Sequence, residues 1–125
     1  MTEAMNKEQL LELTKALLMN HYVVYRDWWY EREHFEIGGD HEALAELAWG
    51  EESGTMIVYK RAGDYIDPDY ERVDPSLEKF LGSITIDCSD CSPSEEREAD
   101  VTFWFRDEYQ HLEAELMKES DVESV

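Results

Sequence analysis

Near the start of the chain, the hydrophobic positions have the spacing of an amphipathic helix. Between Asn6 and Glu33, apolar residues recur at steps of three, four or seven: Leu10, Leu13, Leu17, Val24 and Trp28. A second apolar line lies beside the first: Leu11, Leu18, Tyr22, Tyr25 and Trp29. Two adjacent lines predict one long helix that is buried on a wide face. Within it, His21 to Tyr25 is β-branched and aromatic, so a strand is the alternative for that stretch.

Capping residues mark where the first two helices begin. Asn6 is a favoured N-cap, and Gln9 stands three residues later, as in a capping box. Gly38 and Gly39 interrupt the chain, after which Asp40 is placed to cap a second helix. That helix has an apolar face of Ala43, Leu44, Leu47 and Ala48, with Gly50 as its C-cap. The short connection predicts that it folds back against the first helix.

The remaining segments predict strands and two more helices. Three stretches rich in β-branched and aromatic residues are the predicted strands: Thr55–Lys60, Ser83–Cys88 and Val101–Arg106. The last two form a hairpin with a long tip. Asp74-Pro75 predicts a short helix from Ser76 to Leu81. A final helix runs from Asp107 to Lys118, turning Leu112, Leu116 and Met117 inward, and residues 119–125 form a frayed tail.

These elements predict a single domain of the α+β class. We expect a small antiparallel sheet of about three strands, packed on the long N-terminal helix and two or three shorter helices. A chain of 125 residues is long enough to bury an ordinary core, and its 4 Trp, 7 Tyr and 4 Phe supply one. Disordered acidic chains are poor in aromatic residues, so the composition favours a folded protein.

Net charge changes this picture more than any motif does. The formal charge is −20, and residues 64–125 contribute −14 of it, with 19 acidic and 5 basic residues. Such a charge repels nucleic acid and anionic membranes and attracts basic protein surfaces. The alternative explanations of the charge are a solubility surface and a salt-adapted host, and the aromatic residues and Met that the chain keeps make salt adaptation the less attractive of the two. The N-terminus has no secretory pattern and no apolar run spans a bilayer, so we expect a cytoplasmic protein.

Motifs for catalysis or metal binding are weak in this sequence. Glu-x-x-His occurs twice, as Glu31–His34 and Glu108–His111, both on predicted helices. Because the chain contains 20 Glu, two such pairs are not unusual. Cys88-x-x-Cys91 is half of a zinc site, and a reduced thiol pair in a loop is the simpler interpretation. Phosphate-binding glycine loops and a glycine-flanked nucleophilic serine are absent from the sequence. We therefore predict no catalytic residue, no metal site and no cofactor.

Two acidic segments, predicted to be loops, carry the candidate binding residues, because interaction residues concentrate on loops. In the first segment, Asp64 to Asp74, the acidic residues are interleaved with Tyr65 and Tyr70, and tyrosines are frequent binding hot spots; the second segment runs from Asp87 to Asp100. The candidate partner-binding residues are Asp64, Tyr65, Asp67, Asp69, Tyr70, Glu71, Asp74, Asp87, Asp90, Glu95, Glu96, Glu98 and Asp100. Any single one of these acidic residues is also explained as part of a solvated surface.

The leading hypothesis is a non-enzymatic inhibitor that imitates nucleic acid. It would occupy the basic cleft of a nucleic-acid-processing enzyme, as an anti-restriction or anti-CRISPR protein from a phage or mobile element, in the host cytoplasm. The first alternative is an immunity protein or antitoxin that neutralises a basic nuclease toxin by the same electrostatics. The second is a metal-binding enzyme that uses the two Glu-x-x-His pairs. An apolar patch around Trp28, Trp29 or Trp104 leaves both monomer and dimer open.

Overall fold

A computed structural model of the chain describes residues 2–27, 31–50, 53–62, 80–87 and 98–120. These ranges form six strands: β1 (Thr2–Met5), β2 (Tyr22–Asp27), β3 (Arg32–Phe35), β4 (Ser53–Tyr59), β5 (Phe80–Asp87) and β6 (Ala99–Phe105). They also form three α-helices, α1 (Lys7–Asn20), α2 (His41–Gly50) and α3 (Gln110–Ser120), with a 3-10 turn at Asp107–Tyr109 before the last.

The six strands form one antiparallel sheet in the order β1-β6-β5-β4-β2-β3. The predicted α+β class is therefore confirmed, but the predicted number of strands is wrong. The three strands predicted from the sequence are β4, β5 and β6, and the predicted hairpin of the last two is present. The other three strands lie in the first 35 residues: β1 and β3 were not predicted, whereas β2 corresponds to the strand given as the alternative for His21 to Tyr25.

The predicted long N-terminal helix from Asn6 to Glu33 is wrong beyond Asn20. Its start is as predicted: the Gln9 amide donates to Asn6 Oδ1 at 2.8 Å and the Asn6 amide donates to Gln9 Oε1 at 3.0 Å. After Asn20 the chain enters β2, in which four consecutive residues from Tyr22 onward are buried. A strand buried on both faces has a continuous apolar run, so helical and strand periodicities look alike over that length.

The strand β1 gives little signal in the sequence. Thr2–Met5 is a four-residue edge strand, and Met5 is its buried side chain, opposite Ala99 of β6. The strand has one large apolar residue, Met5, at its end, and both Glu3 and Ala4 are exposed, so the sequence shows no alternating pattern. The strand is held by its pairing with β6, which lies about 100 residues away in sequence.

The second helix begins where it was predicted to begin, but the face that it buries differs from the predicted face. The Ala43 amide donates to Asp40 Oδ1 at 3.0 Å, which confirms the cap. The helix packs on α1, where Lys7 Nζ lies 2.7 Å from Glu46 Oε1 and Thr14 Oγ1 lies 3.1 Å from the carbonyl oxygen of His41. Its buried face consists of Leu44, Ala45, Ala48 and Trp49, whereas Ala43 is exposed.

Two boundaries after β4 also differ from the prediction. Phe80 and Leu81 belong to β5, so the predicted helix from Ser76 does not include its last two residues, and residues 76–79 lie outside the described ranges. The last helix continues to Ser120, whose buried hydroxyl donates to the carbonyl oxygen of Met117 at 2.9 Å. Two residues of the predicted tail are therefore helical.

All three helices pack on one face of the sheet. Leucines of α1, Leu44 of α2 and Leu116 of α3 share a hydrophobic core with the inward residues of the strands. The central helix is α1, which contacts both α2 and α3. None of the helices in the described ranges has the length and apolar character needed to cross a membrane.

Candidate functional site

The face of the sheet opposite the helices, called the outer face below, carries the candidate site. Side chains alternate between faces along a strand, and on β6 the buried residues alternate with Asp100, Thr102 and Trp104, which are exposed. The strand register aligns Thr102 with Thr85 of β5 and Thr55 of β4. On these three strands the row of threonines separates an acidic end from an aromatic end, and the register continues the row on β2 and β3 with Arg26 and Arg32.

The acidic end is a corner formed by Asp87, Glu98 and Asp100, called the acidic corner below. Asp87 and Asp100 lie directly opposite each other on β5 and β6, and Glu98 immediately precedes β6. All three residues are exposed. The other cross-strand neighbours of the two aspartates are Ser53 and Ala4, so the register places no basic residue opposite either one. Like charges directly opposite each other destabilise a sheet, so we expect this pair to lower the stability of the fold.

The structure tests part of the predicted binding set. Asp87, Glu98 and Asp100 lie in the described ranges, and the structure brings them together at one corner. The other predicted binding residues lie outside those ranges: Asp64, Tyr65, Asp67, Asp69, Tyr70, Glu71, Asp74, Asp90, Glu95 and Glu96. Cys88, Cys91, Trp28 and Trp29 also lie outside them. Asp100 is on a strand and not on a loop as predicted, and Asp87 is the last residue of β5, within the predicted strand Ser83–Cys88. The sheet therefore fixes the position of these two residues relative to each other.

Aromatic rings cross the other end of the outer face from strand to strand. The ring of Trp104 stacks on Phe80 with centroids 5.7 Å apart, and the guanidinium carbon of Arg106 lies 4.8 Å from the Phe80 centroid. Tyr59 pairs with Phe80 across the strands, and its ring lies 6.2 Å from that of Tyr22. Tyr22, Tyr59 and Phe80 are buried, whereas Trp104 is 52% exposed. Trp104 was not among the predicted binding residues, although its parity on β6 marks it as outward-facing.

The two Glu-x-x-His pairs do not form a ligand cluster. Glu31 precedes β3 and His34 lies in β3, so the prediction that both pairs lie on helices is wrong for this pair. His34 Nδ1 instead shares a hydrogen bond with the Tyr22 hydroxyl. Glu108 and His111 are both exposed at the start of the last helix. Across the described ranges, no three His, Cys, Asp or Glu residues are grouped so that they could hold a metal ion.

His21 has a shifted pKa. Burial lowers the pKa of its imidazole below the usual 6.5, partly opposed by a hydrogen bond to the Leu17 carbonyl oxygen and by the charge of Glu115. The Nδ1 atom lies 3.1 Å from that carbonyl oxygen, so the neutral ring donates to it at the end of α1. The folded protein therefore holds this imidazole neutral at a pH at which the unfolded chain would begin to protonate it.

This shift predicts that His21 makes folding sensitive to mild acid. Below about pH 6.5 the unfolded chain binds the proton more readily than the folded protein, so the free energy of unfolding decreases as the pH decreases. Urea unfolding at pH 7.5 and at pH 5.5 should show a larger decrease for the native protein than for His21→Gln, whose amide can still donate to Leu17. Equal decreases in both proteins would contradict the assignment.

Comparisons of the chain with models of known protein families, with curated proteins and with solved structures find no match. Function is therefore inferred from the charge and geometry of the chain's own residues.

Proposed function

We propose that the chain is a non-enzymatic inhibitor that imitates nucleic acid and occupies the basic cleft of a nucleic-acid-processing enzyme. The proposed target is a restriction enzyme or a CRISPR effector, and the proposed source of the inhibitor is a phage or mobile element that such an enzyme attacks. The proposal rests first on the net charge of −20, which favours a basic partner and speeds encounter with it.

The observation that carries the proposal is the Asp87–Asp100 pair. Two carboxylates directly opposite each other on a sheet repel, and an asparagine at either position would relieve the repulsion. Local features that lower stability without an evident structural gain are typical of functional sites. A basic cleft would supply the missing opposite charge, so the repulsion would be relieved in the complex with the partner.

Acidic residues on the helices extend the negative surface to the other side of the domain. Within α1, α2 and α3 there are three Lys and seven Glu: Glu8, Glu12, Glu42, Glu46, Glu113, Glu115 and Glu119. Glutamates exposed on helices are common in soluble proteins, and Glu46 is already paired with Lys7. In this proposal the helical glutamates attract a basic partner at long range, and the acidic corner makes the localised contact with it.

Neutralising the acidic corner should weaken binding without weakening the fold. We expect the variant Asp87→Asn/Glu98→Gln/Asp100→Asn to be at least as stable as the native protein, because it removes a like-charge pair. Native protein on a resin should retain a nucleic-acid-binding enzyme from a lysate of the source organism, and added nucleic acid should release it. The variant should release the same enzyme at a lower salt concentration.

The control removes the same number of charges from the helices. Glu8→Gln/Glu42→Gln/Glu119→Gln changes exposed residues away from the acidic corner. If this control weakens retention as much as the corner variant, the charge acts generally and the acidic corner has no special role. The identity of the retained enzyme distinguishes a nucleic-acid-mimic inhibitor from an immunity protein. A retained nuclease toxin whose gene lies beside the gene of this chain would indicate an immunity protein.

A further inference from the structure

The exposure of Trp104 on the outer face is not explained by an acidic binding surface. Its side chain is 52% exposed at an outward position of β6, between Phe103 and Phe105, which are buried. Among the described residues, the other exposed large hydrophobic side chains are Met19 and Ile37, neither of which is aromatic. Trp104 lies near the C-terminal end of β6, beyond the residues that pair with β1, so one side of its ring is not flanked by a strand. Tryptophan is enriched among the residues that dominate binding energy, so this exposed ring is a candidate for contact with a partner.

The Trp104 ring is held in place before any partner arrives. It stacks on Phe80 at an interplanar angle of 26°, and Phe80 in turn is buried and contacts the Arg106 guanidinium. A ring fixed by stacking loses little conformational freedom when it docks, so more of its contact area contributes to affinity. Trp104 therefore has the properties of a binding anchor.

Trp104 and the acidic corner share one strand and one face. Asp100 and Trp104 are both outward on β6, with Thr102 between them, and Glu98 stands two residues before Asp100. Outward residues on a strand are about 6.6 Å apart, so this column extends over roughly 20 Å. It presents two carboxylates, a hydroxyl and then an exposed aromatic ring along a line.

We infer that this column of β6 docks into a groove that binds single-stranded nucleic acid. Such grooves combine basic side chains, which follow the phosphates, with aromatic side chains on which unpaired bases stack. Asp100 and Glu98 match the basic part of the groove in charge, and the indole of Trp104 takes the place of a base. This inference rests on the proposed function and narrows its target to one class of nucleic-acid-binding protein.

A duplex-binding cleft is a poorer match to the same column. The bases of a duplex are stacked inside it and present their edges in the grooves, so a duplex cleft has no platform for an exposed ring face. A duplex also carries its charge in two strands, one charge per about 1.7 Å of axis. A short group of carboxylates at one end of a strand, with an aromatic ring at the other end, corresponds more closely to one unpaired strand.

Competition between two nucleic acids tests this assignment. Enzyme retained on the immobilised full chain is eluted with oligo(dT) of about 16 nucleotides, the upper end of the site size of a single-strand-binding domain, or with a duplex of equal phosphate concentration. We expect oligo(dT) to release the enzyme at a concentration at which the duplex does not. Trp104→Ala should weaken binding by roughly 30-fold, as expected for a hot spot.

Matched variants separate docking from folding. Met19→Ala removes an exposed hydrophobic residue from α1 and should bind as the native protein does. Trp104→Phe keeps a ring against Phe80, so it provides a second variant if the alanine variant is unstable, and it should bind several-fold more weakly than native. Native-like binding by folded Trp104 variants, or equal release by the duplex, would overturn the single-strand assignment while leaving the mimic proposal intact. Release by neither nucleic acid would overturn both.

Discussion

Gly82→Ala is expected to lower the free energy of unfolding by about 2 to 3 kcal/mol, because it overpacks the contact between two strands. Gly82 lies on β5 directly opposite Phe105 of β6. An added Cβ would stand 2.6 Å from Phe105 Cγ and would overlap the carbonyl oxygen of Trp104. That oxygen belongs to the backbone of β6 and cannot rotate away, so the strand itself would have to move.

Gly50→Ala is the matched control for this substitution. A Cβ at Gly50, the last residue of α2, would meet no atom within 4 Å. Alanine has the higher helix propensity and restricts the unfolded chain, so this variant should be unchanged or more stable by up to about 1 kcal/mol. Urea unfolding followed by far-UV circular dichroism measures both variants. Equal losses would show that the close approach of β5 and β6 at Gly82 does not limit the size of the side chain there.

Local signals in the sequence predicted the parts of the fold that are stabilised locally. The capping box of Asn6 and Gln9 and the N-cap at Asp40 depend on residues within one turn, and both are present. The alternation in β6 also depends on a short stretch, and it follows the predicted strand with Val101 and Phe105 inward. Each of these features is specified by the side chains that form it.

The strand β2 was mispredicted as part of the first helix, because its place in the sheet depends on residues outside it. β2 takes its place from pairing with β4, where Tyr25 lies opposite Met56, and from pairing with β3, where Val24 lies opposite His34. No residue within Tyr22–Asp27 indicates these partners, and its continuous apolar run extends the helical pattern of α1. The strand preference of its β-branched and aromatic residues was the correct signal, and it was weaker than the periodicity.

The candidate site also has features that the sequence predicted and features that it did not. Acidic residues such as Asp87 and Asp100 were recognised from the charge alone, but their direct opposition depends on the register of the β5–β6 hairpin. Register is set by turn geometry and by core packing over the whole sheet, so a single sequence with a long hairpin tip does not specify it. The outward parity of Trp104, in contrast, follows from the alternation of β6 and was available from the sequence. Trp104 was predicted only as part of an apolar patch that could support a dimer, because the predicted binding residues were those of the acidic segments.

Leu13→Ala should lower the free energy of unfolding by about 3 to 4 kcal/mol, because it leaves a cavity in the middle of the core. Leu13 is fully buried on α1, the helix that contacts both α2 and α3. Domains of this size are stable by roughly 5 to 15 kcal/mol, so one substitution would remove a large part of the total. Met19→Ala changes the same helix at a side chain that is 65% exposed and should shift the free energy by less than about 0.5 kcal/mol.

Leu13→Ala also separates the stability of the fold from recognition of the partner. The residue lies on the helical side of the sheet, whereas Asp100 and Trp104 lie on the outer face. At a temperature at which the variant remains folded, its binding to the retained enzyme should therefore equal that of the native protein. A variant that loses binding while it remains folded would show that the outer face depends on core packing for its shape. Native-like binding would show that the sheet alone is rigid enough to present its outer face.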